Sequence, residues 1–234
     1  MRRRFPDATC RARNAVALGA WYGDRVRRRA GARSDAYDAT FWDFHATGDW
    51  LGFARLVLRL FPSASVVDIG CGQGLALEAF RAIDPRLRLK GFDDSPSAIA
   101  RARARHLDVS PLDIAALSRA EARAFGRTNG PVDLALCLEV GEHLPSWHSG
   151  KLLDALTCAR RLIFSAAHPN QGGMRHVNER PAGYWISRLA DRGFRLASAN
   201  EELRVELAAL SLPPWYGQNI HAFEKIDAPR STGG

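Results

Sequence analysis

Two glutamates and three histidines stand where this chain could do chemistry. Glu139-Val140-Gly141-Glu142-His143 sets two carboxylates and an imidazole within five residues, and they converge if a strand ending near Leu138 turns into helix. Glu139, Glu142 and His143 could then hold a divalent cation such as magnesium, which would bind hydroxyl groups and lower their pKa. His168 and His176 lie in a polar, glycine-containing run from Ala167 to Arg180. Imidazole titrates near neutrality, so it is the usual side-chain base. His168, directly after an expected strand, is the first candidate for that role, His176 the second, and His143 also faces the same rim. A single histidine more often serves packing. Three on one rim argue that at least one acts.

These groups need a scaffold and a ligand cradle, and Ser65 to Gly74 supplies one. Ser65 to Ile69 reads as a short buried strand, β-branched and apolar except at Asp68, and Gly70, Gly72 and Gly74 follow at alternate positions before a helix from Leu75. Glycines there let backbone approach a bound molecule, and the first helical N–H groups can face a negative part of it. No lysine follows the glycines, which excludes a Walker loop, and Leu75 occupies the last glycine position of a dinucleotide fingerprint. A second strand, Leu87 to Phe92, ends in Asp93-Asp94-Ser95-Pro96, where Ser95 suits an N-cap and Pro96 a first helical residue. Asp93 follows Gly70 at the distance where a doubly wound sheet places a ribose-binding acid. Asp94 reads equally as a helix N-terminal charge.

Val67-Asp68-Ile69-Gly70-Cys71-Gly72-Gln73-Gly74 resembles the first motif of the class I S-adenosylmethionine-dependent methyltransferases, and Cys137-Leu138-Glu139-Val140-Gly141-Glu142-His143-Leu144-Pro145 is similar to their motif after strand four. The resemblance covers residues 65 to 167. It implies an α/β doubly wound, Rossmann-like sheet of seven strands in the order 3-2-1-4-5-7-6, parallel but for an antiparallel terminal strand. It implies S-adenosylmethionine as cofactor, bound by Asp68, Gly70, Cys71, Gly72 and Gly74 at the first turn, by Asp93 and Asp94 after strand two, and by Leu138 and Glu139 after strand four. Asp108, expected to end a third strand near His106-Leu107, would meet the adenine amino group, with Asp113 as the alternative. The Glu139 to His143 segment also resembles the metal-binding segment of small-RNA 2'-O-methyltransferases and ubiquinone-type O-methyltransferases. In the alternative, Glu139 touches the cofactor's amino-acid portion and His143 packs beneath it.

The remaining chain frames this centre. Residues 1–33 hold ten arginines against Asp7 and Asp24, so the whole net charge of +8 resides there and the body is neutral. Three segments are expected: a basic extension over 1–34, a methyltransferase domain over 35–226 and a disordered tail over 227–234. The extension carries a possible helix over 14–30 and could bind RNA phosphates, although arginine outnumbers lysine thirty to three throughout. Phe41, Trp42, Phe44 and Trp50 are expected to pack rather than touch substrate. Four cysteines without pairing or metal spacing suit a reducing cytoplasm, and no apolar run reaches bilayer length or forms a leader. Residues 167–180 are expected to form a lid with Asn170, Gln171 and Asn178 as neutral partners for an acceptor. The expected activity is methylation of a small molecule, at oxygen, in a glycan or secondary metabolite. The alternatives are RNA ribose methylation and a non-catalytic cofactor-binding module.

Overall fold

The computed structural model describes residues 7–29, 37, 39–44 and 46–226. The expected tail over 227–234 and the arginines at 2–4 and 33 lie outside the described residues. Seven strands form one sheet in the order β3-β2-β1-β4-β5-β7-β6: β1 Ser65–Ile69, β2 Arg88–Asp93, β3 Val109–Pro111, β4 Val132–Leu138, β5 Ala159–Ser165, β6 Phe194–Leu196 and β7 His221–Lys225. The first five run parallel, and β7 pairs antiparallel with both β5 and β6. The seven-stranded order expected from the motifs holds.

Alternation along the central strands builds two cores. Val66, Leu134 and Leu136 face one side, where α3 (Trp50–Leu60), α4 (Leu75–Ile83) and α9 (Asn200–Leu207) supply Phe53, Phe80 and Leu203. Val67, Ala135 and Cys137 face the other, against α7 (Ser149–Ala155) and α8 (Ala182–Ala190), with Leu152 and Trp185. Phe53 and Phe80 are buried edge to face, each burial worth roughly 1.5–3 kcal/mol. Helix starts follow side-chain capping: the Asp49 carboxylate accepts from Gly52 N at 2.7 Å ahead of α3, and Ser95 Oγ accepts from Ala98 N ahead of α5 (Pro96–Ala104). α6 (Arg119–Thr128) opens with a reciprocal Ser118–Glu121 box.

One expectation shifts. α5 is followed by a left-handed turn at His106 (φ 59°), and Leu107 is buried in the core. The third strand therefore begins at Val109, and Asp108 precedes it instead of ending it. The stretch before β7 folds into α10, Pro214–Asn219, with Pro214 preset for a first helical turn. At the other end, α1 spans Ala8–Arg29 and α2 spans Ala39–Phe44. Among the described residues no helix is long and apolar enough to cross a membrane.

Candidate active site

A cavity of about 890 Å³ opens at the carboxyl ends of β1, β2 and β4, where a parallel sheet of this order places its ligands. One wall is the first turn. Gly70 N and Cys71 N donate to the carbonyl of Phe92, at 2.7 and 3.0 Å, which folds the turn over the end of β2. Gly70 sits at φ 82°, and a Cβ there would come within 2.3 Å of Val140 Cγ2, so only glycine fits both the dihedral and the space. Gly74 starts α4 from φ 81°, with Leu107 filling the place of a side chain. It supports the turn from behind and does not line the cavity.

Asp93 closes this wall. Its Oδ2 accepts from Gly72 N at 2.8 Å and its Oδ1 from Ser95 N at 2.9 Å, and each oxygen keeps a lone pair for a ribose hydroxyl. Burial raises its pKa to about 6, with Asp94 adding to the rise and the backbone donors opposing it. Asp68, beneath it in β1, is raised further, to about 7, by burial and then by Asp93. The Cys71 thiol is held well above its ordinary range by burial and by the two aspartates, so it stays neutral. Asp68, Cys71, Asp94 and Leu138 all line the cavity. Asp108 does not: its carboxylate is 68% exposed and pairs with Lys90 Nζ at 2.6 Å, at the opening of β3 and away from the cavity. The alternative, Asp113, lines the cavity and is ion-paired with Arg25 of α1.

The opposite wall gathers distant residues. Glu139 follows β4 at φ 55°, a left-handed backbone that non-glycine residues adopt at a cost. Its N–H donates to the Ser165 carbonyl at 3.1 Å, and its carboxylate accepts from Asn219 of α10 at 3.0 Å and from Gln171 at 3.3 Å. Glu142 sits in a 3-10 turn, Gly141–His143, fully buried; as a neutral acid it donates to the neighbouring Glu139 carboxylate, while ionised it lacks a close donor at either oxygen. Burial and then the neighbouring Glu139 push its pKa far up. The ligating atoms of Glu142, His143 and His176 lie within 4.8 Å of one another, and the two imidazoles meet edge to face with centroids 5.1 Å apart. Tyr37 Oη lies 3.2 Å from His143 Nδ1. The expected metal set thus changes one member: His176 joins Glu142 and His143, and Glu139 turns to Asn219 and Gln171.

The 167–180 segment is pinned rather than loose. The Glu142 carbonyl accepts from Val177 N at 2.8 Å and Asn178 N at 3.1 Å, and Asn178 Nδ2 donates to Gly141 O and Ser149 Oγ. Asn178 is buried there, and Asn170 accepts from Asp7 N through its side chain, so neither lines the cavity as proposed for an acceptor. Gln171 does. His168, the first candidate base, also falls outside the cavity: its backbone brackets Gln171, and burial followed by Arg204 lowers its ring pKa. His143 and His176 remain.

Aromatic and helical elements complete the enclosure. Phe41, Trp42 and Trp50 line the cavity, so packing and ligand contact coincide in them. The side chain of Phe44 lies outside the described residues. Trp42 lies against Gly72, and its Nε1 donates to Ser97 Oγ at 2.8 Å. Sequence reasoning missed four contributors. Trp21 and Arg25 come from α1, which docks through Arg25–Asp113 and Asp24–Arg175 ion pairs. Tyr216 comes from α10 and packs edge to face on Trp50. Glu179 is buried, and burial is outweighed by hydrogen bonds from His176, Cys10 and Gly172 N, which hold its pKa at about 2. Among the apolar residues of α1, Trp21 reaches the cavity while Val16, Tyr22 and Val26 stay exposed, so apolar spacing alone does not show which side docks.

A parallel sheet of this order, with a glycine turn after β1 and an acid closing β2 over one cavity, defines the class I methyltransferase fold. Residues 67–163 match the family described as "Methyltransferase domain", and that match together with the fold supports an S-adenosylmethionine-dependent methyltransferase. Solved structures share the fold. A S-adenosylmethionine-dependent methyltransferase from Archaeoglobus fulgidus aligns over 81% of this chain and all of its own, at 18% identity and TM-score 0.54. The plantazolicin methyltransferase, in complex with S-adenosylhomocysteine, aligns over 94% and 97% of the two chains at 17% identity and TM-score 0.53. Magnesium protoporphyrin IX methyltransferase from Synechocystis PCC 6803, with bound S-adenosylmethionine, aligns over 88% and 90% at 21% identity and TM-score 0.52. No curated protein matches the chain.

Proposed function

We propose that this enzyme transfers the methyl group of S-adenosylmethionine to a hydroxyl oxygen of a small acceptor, a glycan or secondary metabolite. The observation that carries the reading is the far wall of the cavity, where Glu142, His143 and His176 meet beneath a roof of Trp21, Tyr37 and Phe41. The sulfonium supplies an activated methyl, and in-line displacement depends on holding the acceptor oxygen opposite it. Gly70, Gly72 and Asp93 would bind the nucleoside end, and Asp113 would meet the adenine amino group. The aromatic residues would exclude water and orient the acceptor. His176 would take the hydroxyl proton as the oxygen attacks. Residues 35–226 would form the catalytic domain in this reading, α1 of the 1–34 extension would cover it, and the four free cysteines suit a cytoplasmic enzyme.

A second reading is favoured by Glu142. A fully buried carboxyl is held neutral, here by sharing its proton with Glu139, or faces a cation, and with two imidazoles within 4.8 Å the set suits a divalent transition ion such as manganese better than the expected magnesium. An ion held by Glu142, His143 and His176 would lower the pKa of the acceptor hydroxyl. A deproteinised extract, divided into low-mass and RNA fractions and incubated with methyl-labelled cofactor, tests both. Base-stable label in the low-mass fraction supports the proposal, label in RNA overturns it, and loss of labelling on chelation, restored by manganese, selects the second reading.

A further inference from the structure

Four donors converge on the buried carboxylate of Glu179. Asn170 N at 3.0 Å and Cys10 Sγ at 2.9 Å reach Oε2, while Gly172 N at 2.7 Å and His176 Nδ1 at 3.0 Å meet Oε1. Glu179 does not line the cavity, and His176 does. An ionised carboxylate only accepts hydrogen bonds. The ring atom facing it must therefore carry the proton, so Nδ1 is the N–H and Nε2 keeps its lone pair.

We infer that Glu179 is a positioning residue that fixes the tautomer and ring plane of His176, presenting Nε2 to the acceptor. The inference rests on the reading that His176 serves the acceptor, and it holds whether Nε2 takes a proton or binds a cation. A carboxylate behind an imidazole does the same for metal ligands and for catalytic bases. The same carboxylate ties three separate pieces of chain together: the turn at 170–172, the ring of His176, and the start of α1 through the Cys10 thiol. Burial of that thiol, with Glu179 beside it, raises its pKa, so Cys10 remains a donor. Ring alignment and helix docking then share one acceptor, and an acceptor site with its histidine set would form only with α1 in place.

Nitrogen NMR of the histidine rings in the full chain, free of cofactor and metal, tests this without a known acceptor. At neutral pH the unprotonated fraction of His176 is expected in the Nδ1–H form. In Glu179→Gln that form is expected to lose roughly half its population to the Nε2–H form, since the amide can donate as well as accept. Calorimetric titration with S-adenosylmethionine checks that the variant is folded, because Glu179 lies away from the glycine turn. A wild-type ring in the Nε2–H form overturns the inference whatever the variant does, as does an unchanged tautomer in a folded Glu179→Gln protein. Glu179→Asp, which keeps the charge, is expected to hold more of the Nδ1–H population than Glu179→Gln; if it holds no more, the carboxylate does not set the tautomer and the inference fails. If Glu179→Gln frees the ring but His176→Ala still methylates the active low-mass fraction at the wild-type rate, the positioning stands and the role assigned to His176 fails.

Discussion

The two walls of the cavity are built differently. The cofactor wall comes from short contiguous segments, the turn after β1 and the end of β2, joined by Asp93 bonding Gly72 N and Ser95 N. The acceptor wall draws Trp21, Tyr37, His143, Gln171, His176 and Tyr216 from five separated stretches. The first wall is fixed by backbone geometry, where a single Cβ at Gly70 would strike Val140. The second is held by side-chain hydrogen bonds and ion pairs. A wall of the first kind admits few sequences, and one of the second kind can change its acceptor while keeping its fold.

Asp93→Ala is the sharpest break in that comparison. It removes the expected ribose acceptor and two bonds that hold the turn, each charge-assisted bond being worth about 1.5–3 kcal/mol. Calorimetry is expected to show affinity for S-adenosylmethionine falling by about 100-fold or more. Glu142→Gln, on the other wall, is expected to leave that affinity within about twofold. Equal losses in both variants would mean that the walls are one coupled site.

Next in size is the effect of Glu142→Gln on cation binding. With Glu142 ionised and the two imidazoles neutral, the cluster is expected to bind manganese, and removing its only carboxylate should weaken that binding by about 100-fold, as read by paramagnetic relaxation. Wild-type protein that fails to bind manganese would remove the cation reading and leave His176 as the base.

The buried acids of the cofactor wall make a pH prediction of comparable size. Asp68 has a folded pKa of about 7 against an ordinary 3.8. Between those values the folded protein binds more protons than the unfolded chain, so stability falls as pH rises through the window. The loss from Asp68 is on the order of 3 kcal/mol, and Asp93, raised to about 6, adds to it. Denaturant midpoints of the cofactor-free protein should therefore decline from pH 4 to pH 7. Asp68→Asn should flatten that decline; an unchanged slope would show that Asp68 is ionised in the folded state.

This contrast also explains what could be read from the letters. β1, α4, β4 and the Ser95–Pro96 helix start were legible because each follows from local chemistry: β-branched runs, glycine dihedrals, a side-chain cap. Asp93 was legible because its place depends on one strand spacing. Asp108 misled because the third strand starts after Leu107 is drawn into the core, a tertiary event. His168 misled for a related reason: a position just after a strand gives the rim but not the direction of the ring. Glu179 had no local signal at all, since its meaning depends on Cys10 and His176 arriving beside it.

The smallest expected effect decides to which wall α1 belongs. Arg25 pairs with Asp113, with side chains 17% and 31% exposed, and a pair this accessible contributes about 0–1 kcal/mol. Arg25→Ala should weaken S-adenosylmethionine binding less than about fivefold. Asp113→Ala, which removes the proposed acceptor for the adenine amino group, should weaken it by about three- to tenfold. If the two substitutions are independent, the double variant shows the product of the single losses. If Arg25 acts only by holding Asp113, the double variant matches Asp113→Ala alone. A loss in Arg25→Ala larger than in Asp113→Ala would place α1 in the cofactor wall, so that the helix would have to move for the cofactor to exchange. The reverse order would leave α1 a cover for the acceptor, free to differ in sequence wherever the acceptor differs.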